Sequence, residues 1–93
     1  LGKNGVIINV ARGSVIDQEE LINCLETNVI AGAGLDVYTN EPHIPQELIN
    51  VKNTVLLPHI GSATVETRIA MGQLVFDNIK AYFDNKPLIT PVV

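Results

Sequence analysis

The sequence predicts an α/β fold: an incomplete doubly wound parallel sheet followed by one long C-terminal helix. Three observations carry this. Short apolar runs recur at 6–10, 30–37 and 53–57, each bounded by glycine, proline or a polar turn. A segment of helical periodicity separates the first two runs, as in a strand–helix–strand unit. A long stretch with apolar residues at i, i+3, i+4 and i+7 follows the third run. Apolar residues are 46% of the 93, enough for a core and too many for a disordered tail.

The first run, VIINV, is apolar on both faces apart from Asn9, which suits a buried parallel strand. Residues 14–16 connect it to Asp17, which reads as a helix N-cap with Glu20 at the third helical position, the pattern of a capping box. In the helix that follows, Leu21, Ile22, Cys24 and Leu25 form one apolar stripe, and Glu19 and Glu20 favour the positive end of the helix dipole. The second run, IAGAGLDV, holds Gly32 and Gly34, which predict close approach by a neighbour or a ligand. Residues 38–47, with Pro42 and Pro45, read as a polar loop. The third run, NTVLL, stops at Pro58. Thr64 then caps a helix to about Asp84, with Met71, Leu74, Val75, Asn78, Ile79, Tyr82 and Phe83 on one stripe. Thr67 stands where a capping box needs Glu or Gln, so no box forms there. Pro87 prevents continuation, and the tail KPLITPVV reads as extended.

Charge and composition exclude several function classes. Ten acidic against six basic residues give a net charge of −4, and Lys3, Arg12, Lys52, Arg68, Lys80 and Lys86 are scattered, so no nucleic-acid partner is expected. No apolar run approaches the roughly 18 residues of a membrane span, so no membrane partner is expected either. The single cysteine, Cys24, forms no disulfide within the chain and points to a reducing, cytoplasmic setting. Gly32-Ala33-Gly34 begins a dinucleotide fingerprint, but the third glycine position holds Val37. Walker A, CxxC and HExxH patterns are absent, and the spacing of His43 and His59 matches no common metal site. Three strands are fewer than the five or six typical of such sheets, and the chain opens at Leu1 rather than Met, so part of a longer protein is expected.

Chemistry-bearing residues stand at the carboxyl ends of the predicted strands. Arg12 follows the first, Asp36 and then Glu41 the second, and His59 the third. Ligands of open parallel sheets bind outside those ends. A guanidinium takes a carboxylate with two hydrogen bonds, and a histidine is the usual acid or base near neutral pH. A carboxylate beside that histidine fixes its tautomer and favours the imidazolium. The set suits an anionic substrate whose carbonyl oxygen gains a proton, as in reduction of a 2-oxo acid. Each residue alone also has a plainer explanation: an ion pair for Arg12, a cap for His59, a solvated loop carboxylate for Glu41, a turn cap for Asp36.

Taken in order, Asn9-Val10-Ala11-Arg12-Gly13, Gly32-Ala33-Gly34-Leu35-Asp36-Val37, Glu41-Pro42 and Leu57-Pro58-His59-Ile60-Gly61 resemble the D-isomer-specific 2-hydroxyacid dehydrogenases over nearly the whole chain. Residues 61–68 and the ending 78–93 resemble the glyoxylate/hydroxypyruvate reductase branch, the plant-type hydroxypyruvate and hydroxyphenylpyruvate reductases in particular. The resemblance implies a Rossmann-like domain of which residues 1–60 are the second half, with 61–93 crossing back to a substrate domain. It implies NADPH, with NADH the alternative, a small 2-oxo acid substrate and a homodimeric complete protein. Arg12 would hold the substrate, His59 would donate the proton and Glu41 would hold His59. Val10, Ala11, Arg12, Asp36, His59 and Gly61 would line the cofactor, Asp36 facing the nicotinamide carboxamide. Formate dehydrogenases of the superfamily carry Gln where this chain has Glu41, which argues against that branch. Two other expectations stay open: an NAD-sensing module without catalysis, and an inactive truncated product. The 93 residues alone are expected to expose an apolar helix face and to associate.

Overall fold

The computed structural model describes all 93 residues. They fall into two compact units, Leu1–Gly61 and Ser62–Val93. The first holds β1 (Val6–Asn9), a 3-10 turn (Gly13–Val15), α1 (Gln18–Glu26), β2 (Gly32–Leu35), α2 (Gln46–Asn50) and β3 (Thr54–Leu56). The strands lie in the order β1-β2-β3 and both pairings are parallel, with Ile8 opposite Gly34 and Gly34 opposite Val55. This is the α/β class and the parallel sheet that the sequence predicts. Consecutive parallel strands require crossovers, and α1 and α2 supply them.

The core lies on one face of the sheet. Leu21 and Leu25 of α1 and Leu48 of α2 pack with Ile30, Ala33, Leu35 and Tyr38, and Ile7 and Leu56 join from the flanking strands. The alternate residues Val6, Ile8, Val10, Val55 and Leu57 point the other way and are exposed. The run VIINV is therefore apolar on both faces but covered on one within this unit. Gly32 answers the close approach predicted for it: a Cβ there would lie 2.7 Å from the Asn53 carbonyl oxygen.

Local signals set the helix ends. The Asp17 carboxylate accepts from the Glu20 amide at 3.1 Å, making the first half of the expected capping box. The Glu20 side chain meets the Cys24 thiol at 3.6 Å instead of turning back. Helix α2 begins in the last two residues of the loop predicted at 38–47 and runs on to Asn50. Pro45, with φ of −57°, leads into a single turn whose Leu48 is fully buried. Five residues are too few to register as a helical period, so tertiary burial decides this element.

The second unit is α3 (Val65–Phe83) and its tail. The Thr64 hydroxyl caps it by accepting from the Thr67 amide at 3.2 Å. Asn85, with φ of +53°, ends it: the Asn85 amide donates to Tyr82 and the Lys86 amide to Ala81, the paired bonds of a Schellman motif. The helix thus stops before Pro87 is reached. Asn78, which the periodicity places in the apolar stripe, pins the tail. Its side-chain oxygen accepts from the Ile89 and Thr90 amides, and its amide group donates to the Thr90 hydroxyl. Phe76, Ile79, Tyr82 and Phe83 are exposed and Ala81 alone is buried on this helix. No helix is long and apolar enough to cross a membrane.

Candidate active site

The site is built where the three strands end. At the end of β1, Asn9 is the one polar residue of an apolar strand and is buried. Its side-chain amide donates to the Arg12 carbonyl at 2.9 Å and its oxygen accepts from the Ala11 amide at 3.1 Å. Those bonds fold residues 9–12 back and leave Val10, Ala11 and Arg12 exposed. Gly13 lets the chain turn there, because a Cβ would lie 2.0 Å from the Tyr38 carbonyl carbon. The Arg12 guanidinium donates to the Ala11 carbonyl and makes no ion pair.

At the end of β2, Asp36 is buried, with both carboxylate oxygens engaged. It accepts from the Ile60 amide at 2.8 Å and the Gly61 amide at 2.7 Å. The Ile60 amide above all, then that of Gly61, holds its pKa below the ordinary carboxylate range against the opposing effect of burial. Asp36 thereby fixes the segment just after His59, on either side of which the chain is tied to β2. Tyr38 follows, also buried, its hydroxyl donating to the Leu57 carbonyl at 2.8 Å and lying 3.1 Å from that of Leu35. Burial pushes its phenol pKa up.

At the end of β3, His59 has φ of +57°. That left-handed conformation costs a non-glycine residue about 1–2 kcal/mol and persists here between bonded flanks. It delivers the imidazole to Glu41, with His59 Nδ1 2.6 Å from Glu41 Oε2. The other oxygen, Oε1, accepts from the Tyr38 amide at 3.0 Å. The bond to His59 leads in depressing the Glu41 pKa, followed by the Tyr38 amide, and the charges of His59 and Arg12 add to it. Glu41 is therefore an ionised acceptor, so Nδ1 carries the hydrogen between them. Nε2 is left without a hydrogen-bond partner in the chain. The two side chains are 47% and 34% exposed, open enough to meet a ligand.

The structure thus brings Glu41 to His59 and Asp36 to Gly61, with Arg12 near enough to act on the Glu41 charge. The plainer explanations for His59 and Glu41, a cap and a solvated carboxylate, do not describe this pair. Sequence reasoning missed Asn9 and Tyr38 as site residues. Both carried a signal: a polar group in a buried strand, or a phenol hydroxyl in a core, must find a partner.

Fold and site together define a class: an α/β domain with a carboxylate–histidine pair at the carboxyl ends of a parallel sheet, where such folds bind ligands. Residues 1–61 match the D-isomer specific 2-hydroxyacid dehydrogenase, NAD binding domain. The chain belongs to that family. It is 54% identical over 93 residues to glyoxylate/hydroxypyruvate reductase A HPR2 of Arabidopsis thaliana, covering all of this chain and 30% of that protein. It is 52% identical, with the same coverage, to the hydroxyphenylpyruvate reductase of Plectranthus scutellarioides. Among solved structures it resembles the NADPH-dependent glyoxylate/hydroxypyruvate reductase of Sinorhizobium meliloti in complex with NADP and malonate. The TM-score is 0.91 and the identity 51%, over 99% of this chain and 29% of that one. The chain spans about 30% of the length of the curated relatives it matches.

Proposed function

We propose that this chain supplies the proton-transfer half of an NAD(P)H-dependent reductase of small 2-oxo acids, with glyoxylate and hydroxypyruvate the preferred substrates. The observation that carries the proposal is the 2.6 Å Glu41–His59 pair beside an Arg12 that has no ion-pair partner. The guanidinium, bonded within the chain only to the Ala11 carbonyl, binds the substrate carboxylate in the two-bond geometry that suits it. His59 Nε2 then delivers a proton to the carbonyl oxygen as that oxygen gains charge, and removes it in the reverse direction. Glu41 holds the Nδ1 hydrogen and keeps the ring oriented.

The surface beside the pair fits a dinucleotide ring. Val10 and Ala11 are exposed at the end of β1, and the Gly61 main chain is held in place by Asp36. Val10, Ala11, Arg12, Asp36, His59 and Gly61 would line the nicotinamide end, and Asp36 would face the carboxamide with lone pairs its two amide bonds leave free. The bound dinucleotide supplies the hydride. NADPH is the preferred donor, a reading supported by the likeness to the NADPH-dependent reductase of Sinorhizobium meliloti. In this proposal residues 1–60 form the second half of the dinucleotide-binding domain and 61–93 lead back to a substrate-binding domain. The complete protein works as a cytoplasmic homodimer, with no nucleic-acid or membrane partner.

The test is NADPH oxidation by the purified full-length gene product with hydroxypyruvate or glyoxylate. Turnover giving the D-2-hydroxy acid is expected. A folded, NADPH-binding protein that reduces neither acid would overturn the proposal.

A further inference from the structure

We infer that Tyr38 is the positioning residue of the acid–base pair: its amide fixes Glu41 and its hydroxyl fixes the strand end that carries His59. This rests on the reductase function proposed above for its catalytic consequence, though not for its geometry.

Tyr38 is 5% exposed and its ring belongs to the core formed by Leu21, Leu25, Leu35 and Leu48. A buried phenol must place its hydroxyl on an acceptor. Here the shorter bond, 2.8 Å, goes to the Leu57 carbonyl, 19 residues on. The Leu35 carbonyl, 3.1 Å away, also accepts from the Leu57 amide at 2.8 Å. Leu35 therefore has a second donor, whereas the Leu57 carbonyl depends on Tyr38. From Leu57 the chain passes through Pro58 directly to His59 and its left-handed backbone. The main chain of the same tyrosine holds the other partner. Its amide donates to Glu41 Oε1 at 3.0 Å, which leaves Oε2 to meet His59 at 2.6 Å. One anchored residue thus spans both members of the pair. Asp36 makes its two hydrogen bonds beyond His59, at Ile60 and Gly61, whereas the Tyr38 hydroxyl bonds the chain before it, at Leu57.

Tyr38→Phe in the full-length gene product tests this, because it removes the hydroxyl and keeps the ring in the core. Two readouts are needed. The first is the proton NMR signal of His59 Nδ1, expected downfield and slow to exchange in the parent and lost or broadened in the variant. The second is steady-state kinetics with hydroxypyruvate and NADPH. We expect kcat to fall about 10-fold, a typical consequence of a small misplacement of a catalytic group. The solvent isotope effect on kcat should rise, because proton delivery becomes slower, while KM for NADPH stays unchanged. A merely structural role would lower the thermal midpoint or the active fraction without changing the isotope effect. A variant with the parent's Nδ1 signal, kcat and isotope effect would overturn the inference and leave the reductase proposal intact. Loss of the signal in a protein that reduces no 2-oxo acid would sustain the positioning role and remove the reductase proposal. Should Tyr38→Phe not fold, 4-fluorophenylalanine at position 38 fills the hydroxyl's space without donating, and the same outcomes apply.

Discussion

The end of β1 and the ends of β2 and β3 meet at one edge of the sheet but are finished differently. His59 and Glu41 are locked: the imidazole on the carboxylate, the carboxylate on the Tyr38 amide, and the segment after His59 on both oxygens of Asp36. Arg12 is held by local bonds, its carbonyl by Asn9 and its guanidinium by the Ala11 carbonyl, and the guanidinium reaches no carboxylate. The Glu41–His59 pair is assembled by bonds within the chain, whereas the Arg12 guanidinium meets only the Ala11 carbonyl, which on the proposed function leaves it able to take a substrate carboxylate.

That comparison predicts where each change should register. His59→Ala in the full-length gene product removes the proposed proton donor, and kcat should fall by about 10²–10⁴-fold with little change in NADPH binding. Steady-state kinetics with hydroxypyruvate measures this. Leu48→Ala empties a fully buried site in the core beneath the locked ends and should cost about 2–5 kcal/mol in denaturant unfolding. Its kcat per folded molecule should stay near that of the parent. Arg12→Ala should act chiefly on the β1 end. Losing the charge-assisted bonds to the proposed substrate carboxylate should raise KM for the 2-oxo acid about 10–100-fold, with only the small Arg12 contribution to the Glu41 pKa lost beside it. An Arg12→Ala enzyme with unchanged KM would show that the anion binds elsewhere.

The smallest effect lies in acid stability. Glu41 and Asp36 both have folded pKa values below the ordinary carboxylate range, Glu41 chiefly through His59 and Asp36 chiefly through the Ile60 amide. A depressed folded pKa contributes stability that is fully present above the unfolded value and lost as pH falls through the folded one. The thermal midpoint should therefore hold near neutrality and decline below about pH 4. Asp36→Asn should flatten that decline, and a profile identical to the parent's would contradict the role given to the two amide bonds.

Much of this was legible in the sequence because it was local. The strand runs, the Asp17 and Thr64 caps and the placing of Arg12, Glu41 and His59 after strands all follow from periodicity and short-range chemistry. What was hidden depends on distant partners. Helix α2 is one turn, stabilised by burying Leu48 rather than by its own pattern. Asn78 looks like part of a packing stripe until the tail folds onto it. Tyr38 looks like the start of a loop, because nothing near it in sequence announces a carbonyl at Leu57. The sheet's second apolar face was legible as apolar, but which faces this segment covers was not.

The central claim is that Glu41 acts through His59 as one unit, and a double-mutant cycle tests it most directly. His59→Ala, Glu41→Gln and the double variant of the full-length gene product would be compared by kcat on hydroxypyruvate. If the pair is one device, adding Glu41→Gln to His59→Ala costs almost nothing further, because the carboxylate has lost the ring it orients. If the double variant instead loses the product of the two single losses, Glu41 and His59 act independently and the proposed proton-transfer device is wrong.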